Sequence, residues 1–429
     1  MGEGYMKKRF SAALIITVLL VSLCSCSSYK AEFSYFDGNF SPFFVRGPQD
    51  MSVVALTQES LLVTSSSSED DSAEPVFDAY TQGLGIADID IDYSVSDKSV
   101  CTVKLGDDVY FSDGTKVTSK DVAFSMYVYA QADYDGWSKL RESELDGLAA
   151  YRYGTQEAEK LDFATAQLEA ELANPSERTS ELINSRIIYP VLREEYKWVT
   201  HLYGDKAYIG TDVEKHIEKY SDPRALFAYY YALDDEYDAL SAPDSETVIK
   251  DIAKQYGTDY KTLGIVYGSD LTQMAHDCAR QALTEKALEG VGNKNVTSIR
   301  GIEIIDEQTL KVTINSVEPE QIEDVLGIYV APFHYYGSGC TFDGQGFVID
   351  LESVDEKSSQ PLGAGRYVVK SYTEGKGVSF VRNDNYFRDI PLEKSLYFAQ
   401  TGNSNTPTDN GYFVFADNRM YVERQDEPQ

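Results

Sequence analysis

Cationic side chains, cysteine and histidine are all scarce in this chain, and apolar residues form no long run beyond its first few dozen positions. Lys and Arg number 38 against 70 Asp and Glu, a formal net charge of −32. A surface this acidic repels phosphate backbones and anionic headgroups, which excludes nucleic acid as a partner and a charge-driven hold on lipid. It favours solubility and identifies no ligand. Of five cysteines, Cys24 and Cys26 sit near the start. Cys101, Cys278 and Cys340 are far apart, odd in number and without C-x-x-C spacing. That argues against a redox or zinc motif and for three small buried hydrophobes, with any disulfide pairing left open. The four histidines, His201, His216, His276 and His334, make no H-E-x-x-H or other metal-ligand pairing. G-x-S-x-G and the P-loop are missing as well, and Gly363-x-Gly365 has no third glycine and no following helix. Asp88, Asp90 and Asp92 mimic the start of a calcium loop, but Tyr93 and Ser99 stand where the glycine and the bidentate glutamate belong. Their alternation with Ile89 and Ile91 reads instead as an edge strand with an acidic face. Nothing supports an enzyme, a cofactor or a metal site.

What is present begins with an export signal. Lys7, Lys8 and Arg9 precede an apolar stretch over 12–23 that is short for a transmembrane span, and Leu23-Cys24-Ser25-Cys26 follows. This looks like a bacterial lipobox. Cys26 is the better acceptor because Leu23 is bulky for the position before a cut. Residues 1–25 are therefore expected to be a lipoprotein signal peptide. Cys26 would carry two acyl anchors, and the protein would face outward from a bacterial cell membrane, at the cell surface or in the periplasm.

Some 400 remaining residues exceed one core, so two or more lobes are expected. Residues 31–64 hold short apolar runs, 65–75 read as a polar loop, and 76–111 as several strands in a meander. Over 134–295 the pattern turns helical, with helices expected at Asp162–Ala173, Ser180–Tyr203, Asp222–Leu240, Ser245–Tyr256 and Ser269–Glu289. Strands resume at Ser298–Ile305 and Thr309–Asn315.

The sharpest local signal runs from Val103 to Tyr127. Alternating apolar residues give a strand, Asp113-Gly114 a tight turn, and Thr118 with Asp121 stand at capping-box spacing before a helix. Phe111, Asp113, Gly114, Asp121, Val122, Phe124 and Ser125 together resemble the signature of the extracellular solute-binding proteins of family 5, the oligopeptide, dipeptide and nickel type that serves ABC importers. Three more segments stand in the family's order. Ile302, Ile304, Asp306, Thr309, Leu310 and Val312 resemble its strand pair. Tyr329–Gly337 resembles its segment with proline and histidine. Gly363, Gly365, Tyr367, Asn383 and Tyr386 resemble its last motif, where Ala364 and Arg366 replace the usual Thr and Pro. DGNFSPFF over 37–44, with Glu59, Leu61 and Leu62, resembles its opening segment.

The resemblance covers roughly 33–133 and 296–390. It implies an α/β, periplasmic-binding-protein-like fold of the type II, peptide-binding class. The expected parts are 26–64 as the N-terminal piece of a first lobe, 65–320 as an inserted subdomain containing a helical insertion at 134–295, and 321–390 as the first lobe continued. Residues 391–429 are expected to be a degenerate or truncated tail, because the family normally continues far beyond Asn-x-x-Tyr to build a second lobe. The implied function is a lipid-anchored, monomeric binding protein that takes oligopeptides or similar small solutes and delivers them to ABC permease subunits. In the family the peptide lies extended between two lobes. Ligand contacts are placed at Asn39, Phe40, Phe43, Phe44, Arg366 and Tyr367. For the phenylalanines, a side-chain pocket and the first-lobe core both remain open readings. The alternatives are a surface lipoprotein that works through its helical insertion, or a truncated relative without transport function.

Overall fold

The computed structural model describes residues 29–33, 35–62, 75–136, 138–203, 212–291, 295–391, 393–400, 411–416 and 419–424. The expected signal peptide with Cys26, most of the 65–75 loop and the 401–410 part of the tail lie outside the described residues. The architecture is α/β, as expected, and is assembled from two four-stranded sheets and a helical body, each with its own apolar core.

One sheet pairs the first described strand with strands from the 367–400 region. Strands β1 (Tyr29–Phe33), β8 (Tyr367–Thr373), β9 (Gly377–Arg382) and β10 (Ser395–Gln400) lie in the order β1-β10-β9-β8, with β1 parallel to β10 and the other pairs antiparallel. Phe33, Phe36, Phe40, Phe380 and Phe398 pack beneath it with Val53 and Leu56 of helix α1 (Pro48–Thr57).

The second sheet, β2-β3-β5-β4, is antiparallel throughout and comprises β2 (Ala87–Asp92), β3 (Ser99–Leu105), β4 (Ile302–Ile304) and β5 (Thr309–Ile314). β2 is indeed an edge strand, with Ile89 buried and Asp90 and Asp92 exposed. Helix α2 (Ser119–Tyr129) covers this sheet and is buried almost throughout. Its start is fixed as the sequence suggests: Asp121 Oδ2 accepts from the N–H (2.9 Å) and the hydroxyl (2.7 Å) of Thr118. The meander expected over 76–111 is reduced to β2 and β3. Residues 76–86 are turns, and Val109 and Phe111 belong to a short hairpin closed by the Tyr110–Lys116 bridge.

Between β3 and β4 in sequence lie the helices α3 (Leu148–Tyr153), α4 (Thr165–Ala173), α5 (Glu177–Ile183), α6 (Tyr189–Leu202), α7 (Asp212–Lys219), α8 (Pro223–Tyr231), α9 (Ser245–Tyr256), α10 (Tyr260–Tyr267) and α11 (Thr272–Ala287). α9 shows why they form. Asp244 caps it by accepting from Thr247 N–H at 2.8 Å. Val248, Ile249, Ile252, Ala253 and Tyr256 bury one face, and Gly257 at φ +59° ends it. A single π-helical turn over 184–188 joins α5 to α6, so the expected 180–203 helix is nearly continuous. The helix expected over 222–240 stops at Tyr231, because Gln255 Oε1 accepts from both Leu233 N–H (2.8 Å) and Asp234 N–H (3.0 Å) and holds the chain extended there. The helices at 212–219 and 260–267 were not expected.

After β5 come α12 (Pro319–Leu326), α13 (Phe333–Tyr336), the small hairpin β6 (Thr341–Phe342) and β7 (Phe347–Val348), and α14 (Leu351–Asp355). A separate hairpin, β11 (Gly411–Ala416) with β12 (Arg419–Arg424), lies within the 391–429 tail. No helix among the described residues is long and apolar enough to cross a membrane.

Candidate functional site

The sequence motifs converge on one place, a polar joint between the two sheets. α1 ends at Thr57, whose carbonyl accepts from Gly365 N–H at 3.0 Å. Glycine is required here by space, not by backbone angle. A Cβ on Gly365 would stand 2.6 Å from Leu56 O, and one on Gly363 would stand 2.2 Å from Thr57 O. Gly363 O accepts from Ser112 N–H (2.9 Å), which brings in the Phe111–Gly114 turn. Asn383 then locks the glycine loop. Its Nδ2 donates to Gly365 O (2.8 Å) and its N–H to Arg366 O (2.9 Å). Asn385 Nδ2 donates to Ser112 O at 3.0 Å.

At the centre of the joint is Glu59. Tyr386 donates its hydroxyl to Glu59 Oε1 at 3.0 Å, Arg366 approaches the same oxygen at 3.9 Å, and the Arg366 guanidinium lies 5.2 Å from the Tyr386 ring centroid. Burial raises the Glu59 carboxyl above its ordinary range, and Arg366, Arg388 and Tyr386 pull it back. From the other side, Asp113 Oδ2 and His334 Nε2 lie 2.7 Å apart, and Asp121 Oδ1 accepts from Phe333 N–H at 2.9 Å. Glu59 O accepts from Val330 N–H at 3.1 Å. The motifs therefore form a brace that fixes the two sheets relative to one another. It contains no nucleophile paired with a base. Among the described residues no cluster of His, Cys, Asp and Glu could hold a metal ion.

The six positions singled out from the sequence do not meet on one surface. Phe40 packs edge-on to Tyr372 in the core of the first sheet, and Phe43 and Phe44 pack in the core of the second, against Tyr336 and Tyr134. Tyr367 is buried and donates its hydroxyl to Glu393 O at 3.2 Å. Asn39 organises its own loop: Nδ2 donates to Phe44 O (2.9 Å) and Oδ1 accepts from Ser41 N–H (3.3 Å). Arg366 and Asn39 are half-buried and reach solvent. Cys101, Cys278 and Cys340 are all free and buried.

Sequence reasoning missed a second feature, an acidic contact between the 35–50 loop and α6. Asp50 is buried and accepts from Asn39 N–H at 3.3 Å. Asp37 faces Lys197 at 3.6 Å, and Lys197 also pairs with Glu194 at 3.0 Å. Tyr35 stacks on His201 with centroids 4.1 Å apart. Burial pushes the Asp37 carboxyl up to about 6; Lys197 opposes the rise and Glu194 adds to it. The helical body thus packs on the N-terminal loop through α6. No local pattern announces such a cluster, because its members lie on segments far apart in sequence.

The sequence model described as "Bacterial extracellular solute-binding proteins, family 5 Middle" matches residues 91–410, a span that includes the helices free of motifs. No curated protein matches. Among solved structures, the ABC transporter substrate-binding protein CtaP of Listeria monocytogenes is 12% identical with a TM-score of 0.38; the alignment covers 88% of this chain and 41% of that one. The oligopeptide-binding protein OppAIV of Borrelia burgdorferi is 12% identical at TM-score 0.39, covering 87% and 43%. Lactococcal OppA, solved with an endogenous peptide in the closed conformation, is 12% identical at TM-score 0.40, covering 87% and 41%. The chain thus spans about two fifths of the length of these solved proteins. At such scores the family assignment rests on the sequence match.

Proposed function

The chain belongs to the bacterial extracellular solute-binding proteins of family 5, and from that premise we propose that it captures an oligopeptide, or a solute of similar size, outside the membrane and hands it to the permease of an ABC importer. The match over 91–410 is the observation that carries this reading. The brace around Glu59 supports it in physical terms. A binding lobe must hold its two sheets at a fixed angle while a ligand comes and goes, and a buried, multiply bonded joint does so. Within this reading 26–64 and 321–390 form a first lobe, and 65–320 an inserted subdomain that carries the helices. Of the six candidate contacts, Arg366 and Asn39 are those whose side chains reach solvent; the guanidinium suits a ligand carboxylate or backbone carbonyl. Attachment is through lipid on Cys26. Radiolabelled palmitate incorporated by the wild type and lost in Cys26→Ser tests the anchor. Titration with a peptide pool tests the binding: saturable heat without turnover supports the reading, and a flat titration across the pool contradicts it.

A further inference from the structure

The second sheet ends in an open edge beside a cavity, and the two fit one another. The register of β4 with β5 pairs Ile302 with Val312, Glu303 with Lys311 and Ile304 with Leu310. Ile305 N–H donates to Thr309 O (3.0 Å) and Thr313 N–H to Gly301 O (2.8 Å), which fixes the phase of the ladder. Residues 301, 303 and 305 exchange hydrogen bonds with β5, so the N–H and C=O groups of Ile302 and Ile304 point away from it. Ile302 N–H turns back to Ile299 O at 3.1 Å. The Ile304 N–H and the carbonyls of Ile302 and Ile304 face the open side.

On that side lies a cavity of about 280 Å³ with a mixed lining, apolar at Ile302, Ile304, Phe342 and Phe347 and charged at Arg300 and Glu303. Its wall is fixed, since Tyr127 Oη accepts from Ile299 N–H at 2.8 Å. It shares no lining residue with the Glu59 brace.

We propose that the open edge of β4 takes a free extended oligopeptide as an added strand, with an apolar side chain in this cavity and a basic one on the outer face beside Glu303. An extended chain is the partner that supplies alternating donors and acceptors at the strand spacing, and period two sends its neighbouring side chains to opposite faces. Glu303 pairs with Lys311, yet its side chain is 55% exposed and can meet a second cation. A second copy of this chain is disfavoured, because antiparallel pairing of two β4 edges sets Glu303 against Glu303 between two bodies of net charge −32. The inference adds a peptide site outside the lobe-to-lobe cleft of the function proposed above.

The test is fluorescence anisotropy of a terminally blocked, labelled heptapeptide of alternating leucine and lysine, titrated with the full chain. Ile304→Pro removes the outward N–H without removing a ladder bond. Gln345→Trp fills the cavity mouth from an exposed loop and leaves the sheet untouched. Saturable binding that weakens at least about tenfold in each variant, and in a peptide with aspartate in place of lysine, supports the site. Absence of binding by the wild type, unchanged binding in Gln345→Trp, or concentration-dependent dimerisation abolished by Ile304→Pro overturns it.

Discussion

Replacing Asp37 by asparagine should change how stability depends on pH, with a sign set by burial. The Asp37 carboxyl titrates near 6 in the folded chain, against 3.8 for the free group. Between those values the folded state holds more protons than the unfolded one, so this group's contribution to stability falls as pH rises through the window and is flat above it. A difference of roughly two units at about 1.4 kcal/mol each sets a ceiling near 3 kcal/mol. Asparagine mimics the protonated form at every pH, and Lys197 keeps Glu194 as a partner at 3.0 Å. Asp37→Asn should therefore match the wild type near pH 4 and exceed it by about 1–3 kcal/mol at pH 7.5. His201, whose pKa burial lowers, and Asp50 and Glu195, whose pKa values burial raises, titrate in both proteins. The contributions of His201 and Glu195 cancel in the comparison, whereas Asp50, whose carboxyl the Asp37 charge also raises, loses that repulsion in the variant and adds to its gain at pH 7.5. Urea unfolding of both proteins at the two pH values measures it. Equal increments at both, or a less stable variant at pH 7.5, would show that burial does not raise the Asp37 carboxyl.

Three other outcomes follow from the brace and the cores. Tyr386→Phe strips the buried Glu59 Oε1 of its hydroxyl donor and should cost about 1–3 kcal/mol in urea unfolding at neutral pH; a loss below about 0.5 kcal/mol would show that Arg366 alone satisfies the carboxylate. Gly365→Ala drives a Cβ to 2.6 Å from Leu56 O and should destabilise by about 1–3 kcal/mol or more, read from the same unfolding curves. In a chain carrying Cys24→Ser and Cys26→Ser, the three remaining thiols are buried, and burial pushes those of Cys101 and Cys278 up to about 12. A chromogenic disulfide reagent should then release no fast signal until denaturant is added.

Much of the local structure was legible where the stabilising groups are neighbours in sequence. α9 is delimited by Asp244 and Gly257, and α2 starts where Thr118 and Asp121 say it should. The acidic β2 strand follows from its alternation. Legibility failed where the deciding partner is distant. Nothing near Leu233 says that Gln255 will capture its N–H and end α8. The phenylalanines of 36–44 read as one aromatic cluster, yet Phe36 and Phe40 enter one core and Phe43 and Phe44 another, because the chain crosses between the sheets at that point. The motif residues identified the family without showing that they bond to one another. Asp37, Asp50 and Lys197 carry no local signature, since only tertiary packing makes them a cluster.

Reversible capture of a small solute is the central claim of the proposed function. Thermal unfolding of the full chain with members of a random peptide library tests that directly. A true ligand at 100 times its dissociation constant should add about 2.7 kcal/mol of stability, and the peptide should be recovered intact. A melting temperature indifferent to every peptide at millimolar concentration, or peptide returned as cleaved fragments, would contradict the account.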